Sequence, residues 1–273
     1  MRRGNCDLGK SCEFVQYFGE IEVCDACGLG RTLFTGRAPE LQNYLPHDHA
    51  VRLLKTARLT RVYRLYLRSA GPGSLLDVGC AEGMLLDIAA ADGWCVVGLD
   101  SYALRNDKRQ IVAGRFLDFN HANSFDALSF VHSFEHMDDP VATLRKCRSL
   151  VRPQGRLLIV VPNFGGWWAQ TTRHEWQWLN VEEHRYHYTR QALATLLGQA
   201  EFRIEVCRTY SGYAPSMPEV ILSKMGAFTW PGFRWRPIRS ALYRLSRLAG
   251  TVCNPIVDLA GRGAELEVLA RPI

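Results

Sequence analysis

LLDVGCAEGMLLDIAA, Leu75 to Ala90, is an apolar run, then a turn holding Gly79 and Gly83, then a helical pattern. A strand that passes through a glycine turn into a helix offers backbone N–H groups and a helix N-terminus to a ligand. Two common ligands fit badly. A phosphate-binding loop needs Lys and Ser/Thr after its last glycine, whereas Met84 and Leu85 follow Gly83. A dinucleotide turn needs a middle glycine so that a pyrophosphate can reach the backbone; Ala81 stands there, and Glu82 sets a negative charge against the phosphate. Three acids point elsewhere. Asp77 ends the first strand-like run, Asp100 ends the next (CVVGLD), and Asp118 lies in the third (RFLDF), with Phe119 beside it for stacking. Acids at three successive strand ends suit an adenosine that carries a sulfonium and an amino acid.

Outward from this stretch, strand-like runs alternate with helical ones. SLLDVG (74–79), CVVGLD (95–100), RFLDF (115–119), FDALSFV (125–131) and RLLIVVP (156–162) read as strands; LLIVV is apolar on both faces, as in a covered parallel sheet. GMLLDIAAAD, PVATLRKCRSLV and TRQALATLLGQA read as helices, the last two capped by Asp138 or Asp139 before Pro140 and by Thr189. Residues 48–69 read as a further helix, stopped by GPG at 71–73. FRIEVCRTY (202–210) and AELEVLARP (264–272) alternate like strands. The pattern predicts an α/β fold with a doubly wound sheet and a ligand at the strands' carboxyl ends. The domain boundary falls near 45: a polar Cys-rich segment over 1–45, then one domain over 46–273 with a helical, basic and aromatic insertion at about 211–262.

LLDVGCAEG, GWCVVGLD and SFDALSFVHSFEHMDDPVATLRKCRSLVRPQGRLLIVVPN, in this order and spacing, resemble the class I S-adenosylmethionine-dependent methyltransferases, in particular their small-molecule, ubiquinone-type members. Ala81 departs from the family's glycine-rich turn. The resemblance covers residues 74–163 and extends to about 202; AELEVLARP resembles the family's antiparallel seventh strand. It implies a seven-stranded, mostly parallel, Rossmann-like sheet. It also implies S-adenosylmethionine held by Asp77, Gly79, Cys80, Ala81 and Gly83, by Asp100 and Ser101 at the ribose, by Asp118 and Phe119 at the adenine, and by His132. Only about 25 residues separate Asp100 from Phe125, which makes Asp118 a weaker match than Asp77 or Asp100.

His132-Ser-Phe-Glu-His136 spells H-x-x-E-H, a zinc-protease pattern that needs a helix to bring both histidines onto one face. Here it straddles a strand end and the loop beyond, which argues against that enzyme. In the resembling families the position of His136 faces the reacting methyl, so His136 is a candidate base; a loop histidine bonded to carbonyls is the alternative. His184, in WQWLNVEEHRYHYT (176–189), is a second candidate base, against a packed aromatic loop. Trp167, Trp168, Trp176 and Trp178 would wall an acceptor pocket or pack as a lid.

Cys6, Cys12, Cys24 and Cys27 form one C-x-x-C knuckle and one wider pair. Four thiolates around Zn²⁺ would order a segment with few apolar residues, and the segment resembles a degenerate zinc ribbon. Cys80, Cys95, Cys147, Cys207 and Cys253 sit in core-like patterns and read as small buried hydrophobes. Arginines recur along 52–68 as a slanted ridge that reads as solvated surface. No acid stands between Glu219 and Asp258, while arginines and aromatics do, which suits a lid or an anionic membrane surface. No recognised RNA-binding module accompanies these basic stretches, so nucleic acid ranks lower. With no apolar leader and no long apolar span, the expected location is cytoplasmic, with peripheral contact at the inner membrane as an option.

The sequence thus points to methyl transfer, first to an oxygen of a small molecule, sugar or lipid-linked glycan. N- or C-methylation and a catalytically silent, cofactor-binding scaffold remain open; acceptor identity and oligomeric state are not encoded in any motif.

Overall fold

The computed structural model of the chain describes residues 2–5, 11–18, 20–33, 49–102, 110–176, 178–212 and 236–273. Four short strands come first: β1 (Arg2–Asn5), β2 (Ser11–Phe18), β3 (Ile21–Cys24) and β4 (Gly30–Thr32). Helix α1 (His49–Tyr66) leads to β5 (Ser74–Val78), α2 (Met84–Ala91), β6 (Cys95–Asp100), β7 (Ile111–Ala113) and β8 (Phe125–Val131). Then come α3 (Pro140–Leu150), β9 (Val151–Pro162), α4 (Trp167–Thr172), β10 (Tyr186–His187), α5 (Arg190–Gln199), β11 (Phe202–Tyr210), α6 (Arg236–Leu259) and β12 (Glu265–Pro272).

The main sheet has seven strands in the order β11-β12-β9-β8-β5-β6-β7. Parallel pairing runs from β9 to β7, and β12 lies antiparallel between β9 and β11. The chain winds outward from β5 through β6 to β7, then returns to β8 on β5's other side. The crevice at the carboxyl ends of β5 and β8 is therefore the topological switch point, where open α/β sheets bind ligands.

Successive residues of the central strands serve opposite faces. Leu76, Val78, Phe130 and Ile159 join Leu144, Leu193 and Leu196 in one core, under α3 and α5. Leu75, Ala127, Leu158 and Val160 join Val62, Tyr63, Leu85 and Ala89 in the other, under α1 and α2. This double cover explains the unbroken apolar runs. Both expected helix caps form: the Asp139 carboxylate accepts from the Ala142 N–H at 2.9 Å, and the Thr189 hydroxyl from the Ala192 N–H at 3.1 Å.

Three expectations need correction. RFLDF is not a strand: Phe116–Asp118 form a 3-10 turn, and the strand is Ile111–Ala113, paired with Gly98–Asp100. Phe116 and Phe119, three apart, both enter the core, a spacing a turn satisfies and an alternating strand does not. Cys95 is exposed at the start of β6, unlike Cys80 and Cys147, which are buried. The arginine ridge is only partly solvated. Arg58 pairs with Glu265 at 2.6 Å, and Arg61 grips Glu267; both carboxylates are buried on β12. Tyr66 donates to Glu267 at 2.6 Å from the same helix.

A second, antiparallel sheet has the order β1-β2-β3-β4-β10. Its fifth strand comes from the histidine-rich segment: Tyr186 and His187 pair with Arg31 and Gly30. The Cys-rich front of the chain is thus knitted into the region above the main sheet's carboxyl edge.

Candidate active site

The glycine turn follows β5 with three left-handed residues, Gly79 (φ 75), Ala81 (φ 46) and Gly83 (φ 79). Gly79 has a second reason to lack a side chain: a Cβ there would collide with Ser133, whose hydroxyl donates to the Val78 carbonyl at 2.5 Å. Ala81 takes a backbone conformation that costs an L-residue roughly 1 kcal/mol. Its N–H is tied to Asp100 Oδ2 at 2.9 Å, which helps to hold it there. Asp100 Oδ1 accepts from the Tyr102 N–H at 2.9 Å. Each oxygen keeps lone-pair capacity toward the crevice. Glu82 is drawn to Arg52 of α1 at 3.2 Å.

Asp77 is buried beneath the turn and accepts from the Ser129 hydroxyl at 2.7 Å. Burial, and secondarily the charge of Asp100, push its carboxyl up to about 7 against the Ser129 bond. The crevice thus discourages Asp77 from ionising, and a cationic ligand would relieve that. Cys80 is buried at the turn; Ser101 is exposed, with its hydroxyl on the Gly114 carbonyl at 3.3 Å. Asp118, exposed, and Phe119, buried, border an open cleft of about 540 Å³ with Leu99 and Gly114, one strand further along the edge.

The other side of the crevice is polar and histidine-rich. His132 leaves β8 with φ 54, and a 3-10 turn over Phe134–His136 follows, so H-x-x-E-H does not lie on one helix face. Glu135 is buried; its nearest donors are His132 Nδ1 at 3.4 Å and His184 Nε2 at 3.9 Å. Neither carboxylate oxygen receives a full hydrogen bond among the described residues. Burial alone would raise this carboxyl, but the polar contact with His132 first, and then the charges of His132, His136 and His184, outweigh it and lower the group to about 2. His132 in turn touches the Arg58 guanidinium and lies 3.7 Å from Glu265. Burial and Arg58 depress it, yet the two glutamates prevail and raise it above the usual imidazole range.

His136 Nδ1 faces the Glu183 carbonyl oxygen at 3.0 Å, a contact only an N–H satisfies. In the neutral ring, Nε2 is then the nitrogen left without a proton. The His136 and His184 rings lie edge to face, 4.9 Å apart. Burial pushes His184 down to about 4 and His187 to about 3, so both are neutral near pH 7. Thr32 of β4 fixes this pair: its hydroxyl donates to the His184 carbonyl at 2.7 Å and meets His187 Nε2 at 2.9 Å. Trp168 and Trp176 are buried with Phe164 and Val257, and Trp178 stands against His132 at 5.8 Å. Ligand atoms of Glu135, His136 and His184 lie within 4.8 Å of one another, close enough to hold a divalent cation.

The fold brings Asp77, Gly79, Cys80, Ala81, Gly83 and Asp100 together, and places His132, His136 and His184 across from them. Sequence reading passed over Thr32, Arg58, Ser129, Glu135 and Glu265 as site residues. Only Glu135 carried a signal, its position between two histidines just past a strand. Cys24 and Cys27 are buried in a knuckle closed by Gly28 N–H to the Cys24 carbonyl at 2.8 Å. Cys6 and the side chain of Cys12 lie outside the described residues, as does the 213–235 part of the insertion.

Residues 49–205, more than half of the chain, match the family model described as a methyltransferase domain. Two relatives are ubiquinone biosynthesis O-methyltransferases. The one from Histophilus somni is 30% identical over 112 residues, 34% of this chain and 47% of that protein. The one from Aromatoleum aromaticum is 31% identical over 102 residues, 33% of this chain and 44% of that protein. The chain thus spans about half the length of the curated relatives it matches. Two solved structures share the fold. An S-adenosylmethionine-dependent methyltransferase from Archaeoglobus fulgidus aligns with TM-score 0.54 at 16% identity, covering 85% of this chain and 97% of that one. The 1,6-didemethyltoxoflavin-N1-methyltransferase of Burkholderia thailandensis, solved with S-adenosylhomocysteine, aligns with TM-score 0.52 at 14% identity, covering 95% and 99%. With the sheet order, the glycine turn and the matched segment in agreement, the chain belongs to the methyltransferase domain family and has its class I, Rossmann-like fold.

Proposed function

We propose that this chain transfers the methyl group of S-adenosylmethionine to an oxygen of a small-molecule acceptor. The observation that carries the reading is the crevice at the switch point, with buried Asp77 held near neutrality beside Asp100, a pocket short of one positive charge. S-adenosylmethionine supplies that charge and, when bound, an electrophilic methyl on sulfur. Asp100 would accept the ribose hydroxyls and Asp77 the amino group. Gly79, Cys80, Ala81 and Gly83 would face the amino-acid part, Ser101 the ribose, and Asp118 with Phe119 the adenine end.

His136 is the base of this proposal. Its Nδ1–H is held by the Glu183 carbonyl, so Nε2 can take the proton of an acceptor hydroxyl as the oxygen attacks. The imidazolium then sits beside Glu135, whose carboxylate is ionised and lacks a full hydrogen bond of its own among the described residues. His184 is too strongly depressed to compete as a base and instead shapes the acceptor wall with His132 and Trp178. Alignment and exclusion of water do the remainder. The O-methyltransferase names of the relatives favour oxygen over nitrogen or carbon, and a sugar or a lipid-linked glycan fits the polar wall.

The proposal extends to the remainder of the chain. Residues 1–45 form a zinc-ordered unit on 46–273, with Cys6, Cys12, Cys24 and Cys27 as ligands; the pairing of Phe14 with Cys24 runs β2, which carries Cys12, beside the Cys24–Cys27 knuckle. The acceptor end makes peripheral contact with a membrane from the cytoplasmic side. No described helix is long and apolar enough to cross one.

Calorimetric titration with S-adenosylmethionine, S-adenosylhomocysteine and NADH tests the reading. Micromolar binding of both sulfur compounds is expected, weakened about 10- to 100-fold in Asp100→Ala, as the loss of charged hydrogen bonds costs. Binding of NADH alone, or of nothing, sinks it, and cofactor binding with no methyl transfer in either the wild type or His136→Ala points to the silent scaffold. One observation favours a second reading: the ligand atoms of buried Glu135, of His136 and of His184 lie within 4.8 Å of one another, close enough to share a cation. A divalent cation there would acidify the acceptor hydroxyl in place of a base. Loss of turnover in a chelator with full S-adenosylhomocysteine binding, restored by Mg²⁺ or Mn²⁺, would select it.

A further inference from the structure

An ion-pair bridge joins the two sides of the crevice. Asp138 stands two residues past His136, just before the Asp139 cap of α3. Its Oδ2 meets the Arg115 guanidinium at 2.8 Å, and its Oδ1 meets Arg185 Nε at 2.7 Å. Each oxygen serves a different arginine, and the two arginines come from opposite sides. Arg115 belongs to the cofactor side. It follows Gly114, whose N–H donates to the Asp100 carbonyl at 3.1 Å and whose carbonyl accepts from the Ser101 hydroxyl at 3.3 Å. It also lines the cleft that holds Asp118 and Phe119. Arg185 belongs to the acceptor side. Its N–H donates to the Glu135 carbonyl at 2.9 Å, and its carbonyl accepts from the Thr32 N–H at 3.0 Å. His184 precedes it, and the Glu183 carbonyl, one residue earlier, receives His136 Nδ1. From Asp100 to both histidines, each step is one of these bonds or at most two residues of chain.

Stability does not account for the bridge. The side chains of Arg115, Asp138 and Arg185 are 62%, 45% and 39% exposed, and ion pairs at such exposure contribute little to folding. Two guanidinium groups drawn to one carboxylate also repel each other. The cofactor-side loop has an anchor of its own to α3, the Lys146 ammonium on the Leu117 carbonyl at 2.5 Å. What the bridge governs is position. Arg185 holds the loop at the end of β8 in two places, by its N–H at Glu135 and by its guanidinium at Asp138, and His136 lies between them. A contact this weak can also open and close within each turnover, which a buried pair cannot do cheaply.

We infer that Asp138 couples the two sides of the crevice: a nucleoside cofactor seated against the 114–119 loop holds Arg115 on Asp138, and Asp138 with Arg185 then fixes His136 and His184 for the acceptor. Asp138 is a positioning residue that acts through the histidines. The inference rests on the S-adenosylmethionine reading above. The test is hydrogen exchange of the full chain, read by mass spectrometry with and without saturating S-adenosylhomocysteine. In the wild type the ligand should slow exchange in two places, the glycine turn at 79–83 and the 183–187 segment. The second should slow by about fivefold, the reach of two exposed ion pairs. Asp138→Asn should abolish the slowing at 183–187 and keep it at 79–83. Its affinity for S-adenosylhomocysteine in calorimetry should stay within about fivefold of the wild type, since coupling is reciprocal. Asp138→Glu should restore part of the slowing. Salt at about 0.5 M should do to the wild type what the Asn variant does, because exposed charges are screened. Should Asp138→Asn fail to fold, Arg115→Gln reads the same coupling from the most exposed of the three positions. Slowing confined to the turn in the wild type would overturn the inference. So would slowing at 183–187 that survives Asp138→Asn. Absence of S-adenosylhomocysteine binding by the wild type would remove the cofactor reading itself, and the inference with it.

Discussion

The two walls of the crevice are built in opposite ways. The cofactor-side wall comes from one stretch of chain, β5, the glycine turn and β6, and its decisive contacts span short distances in sequence: Ala81 to Asp100, Asp100 to Tyr102. The acceptor-side wall is assembled from five places. Thr32 comes from the front sheet, Arg58 from α1, Glu135 and His136 from the end of β8, His184 and His187 from the 176–189 segment, and Glu265 from β12. A local wall tolerates change elsewhere in the chain. A composite wall is as good as its weakest long-range tie.

The contrast breaks most sharply at His136. His136→Ala should lower kcat by about 10²- to 10⁴-fold, the usual worth of a positioned base, while S-adenosylhomocysteine affinity in calorimetry stays level. An equal loss of cofactor affinity would mean that the walls are not separable. Next is Glu267, which holds Arg61 and Tyr66 of α1 against the sheet. Glu267→Ala leaves a half-buried guanidinium without its carboxylate and should cost about 3 kcal/mol in urea unfolding, as breaking a buried pair does.

The cofactor wall makes its own prediction through pH. Folded Asp77 ionises near 7 because burial opposes its charge, whereas in the unfolded chain it ionises in the ordinary carboxylate range. Between those values the folded state holds the extra proton, so stability falls as pH rises toward about 7 and levels off above it. A ligand bearing an ammonium group favours the ionised form. Affinity for S-adenosylhomocysteine should therefore rise by up to about fivefold from pH 6 to 7, with proton release seen as a buffer-dependent heat of binding. Asp77→Asn should flatten that slope; a slope that persists assigns the proton elsewhere. The smallest effect sharpens the comparison from the far side. Thr32→Val removes the hydroxyl shared by the His184 carbonyl and His187. A several-fold rise in acceptor KM is expected from a cost of about 1 kcal/mol, with cofactor affinity unmoved.

This division also marks what the sequence made legible. Strands β5, β6, β8 and β11, the caps at Asp139 and Thr189, and the glycine turn depend on neighbours within a few residues, and periodicity and capping chemistry found them. RFLDF misled because two phenylalanines three apart satisfy a buried turn as well as apolar content satisfies a strand. Cys95 misled because its run is apolar although its own position is the solvent-facing start of β6. The arginines of α1 read as solvated surface because their partners lie far away: Arg61 and Glu267 are 206 residues apart. No local pattern marks a charge whose complement is on another strand. His184 was visible as a residue type, but its burial among Glu135, His136 and Thr32 was not.

The position of β12 bears on how the molecule reaches this state. It is an interior strand, inserted between β9 and β11, and it carries both carboxylates that anchor α1. Closing a loop of 206 residues carries an entropic penalty that local pairs such as β5 with β6 do not meet, so high-separation contacts form late. The glycine turn and its aspartates can be organised while α1 still lacks its anchors. Cofactor-binding competence should then appear earlier in refolding than the acceptor wall, leaving an intermediate with one finished side of its crevice and the other still open to solvent.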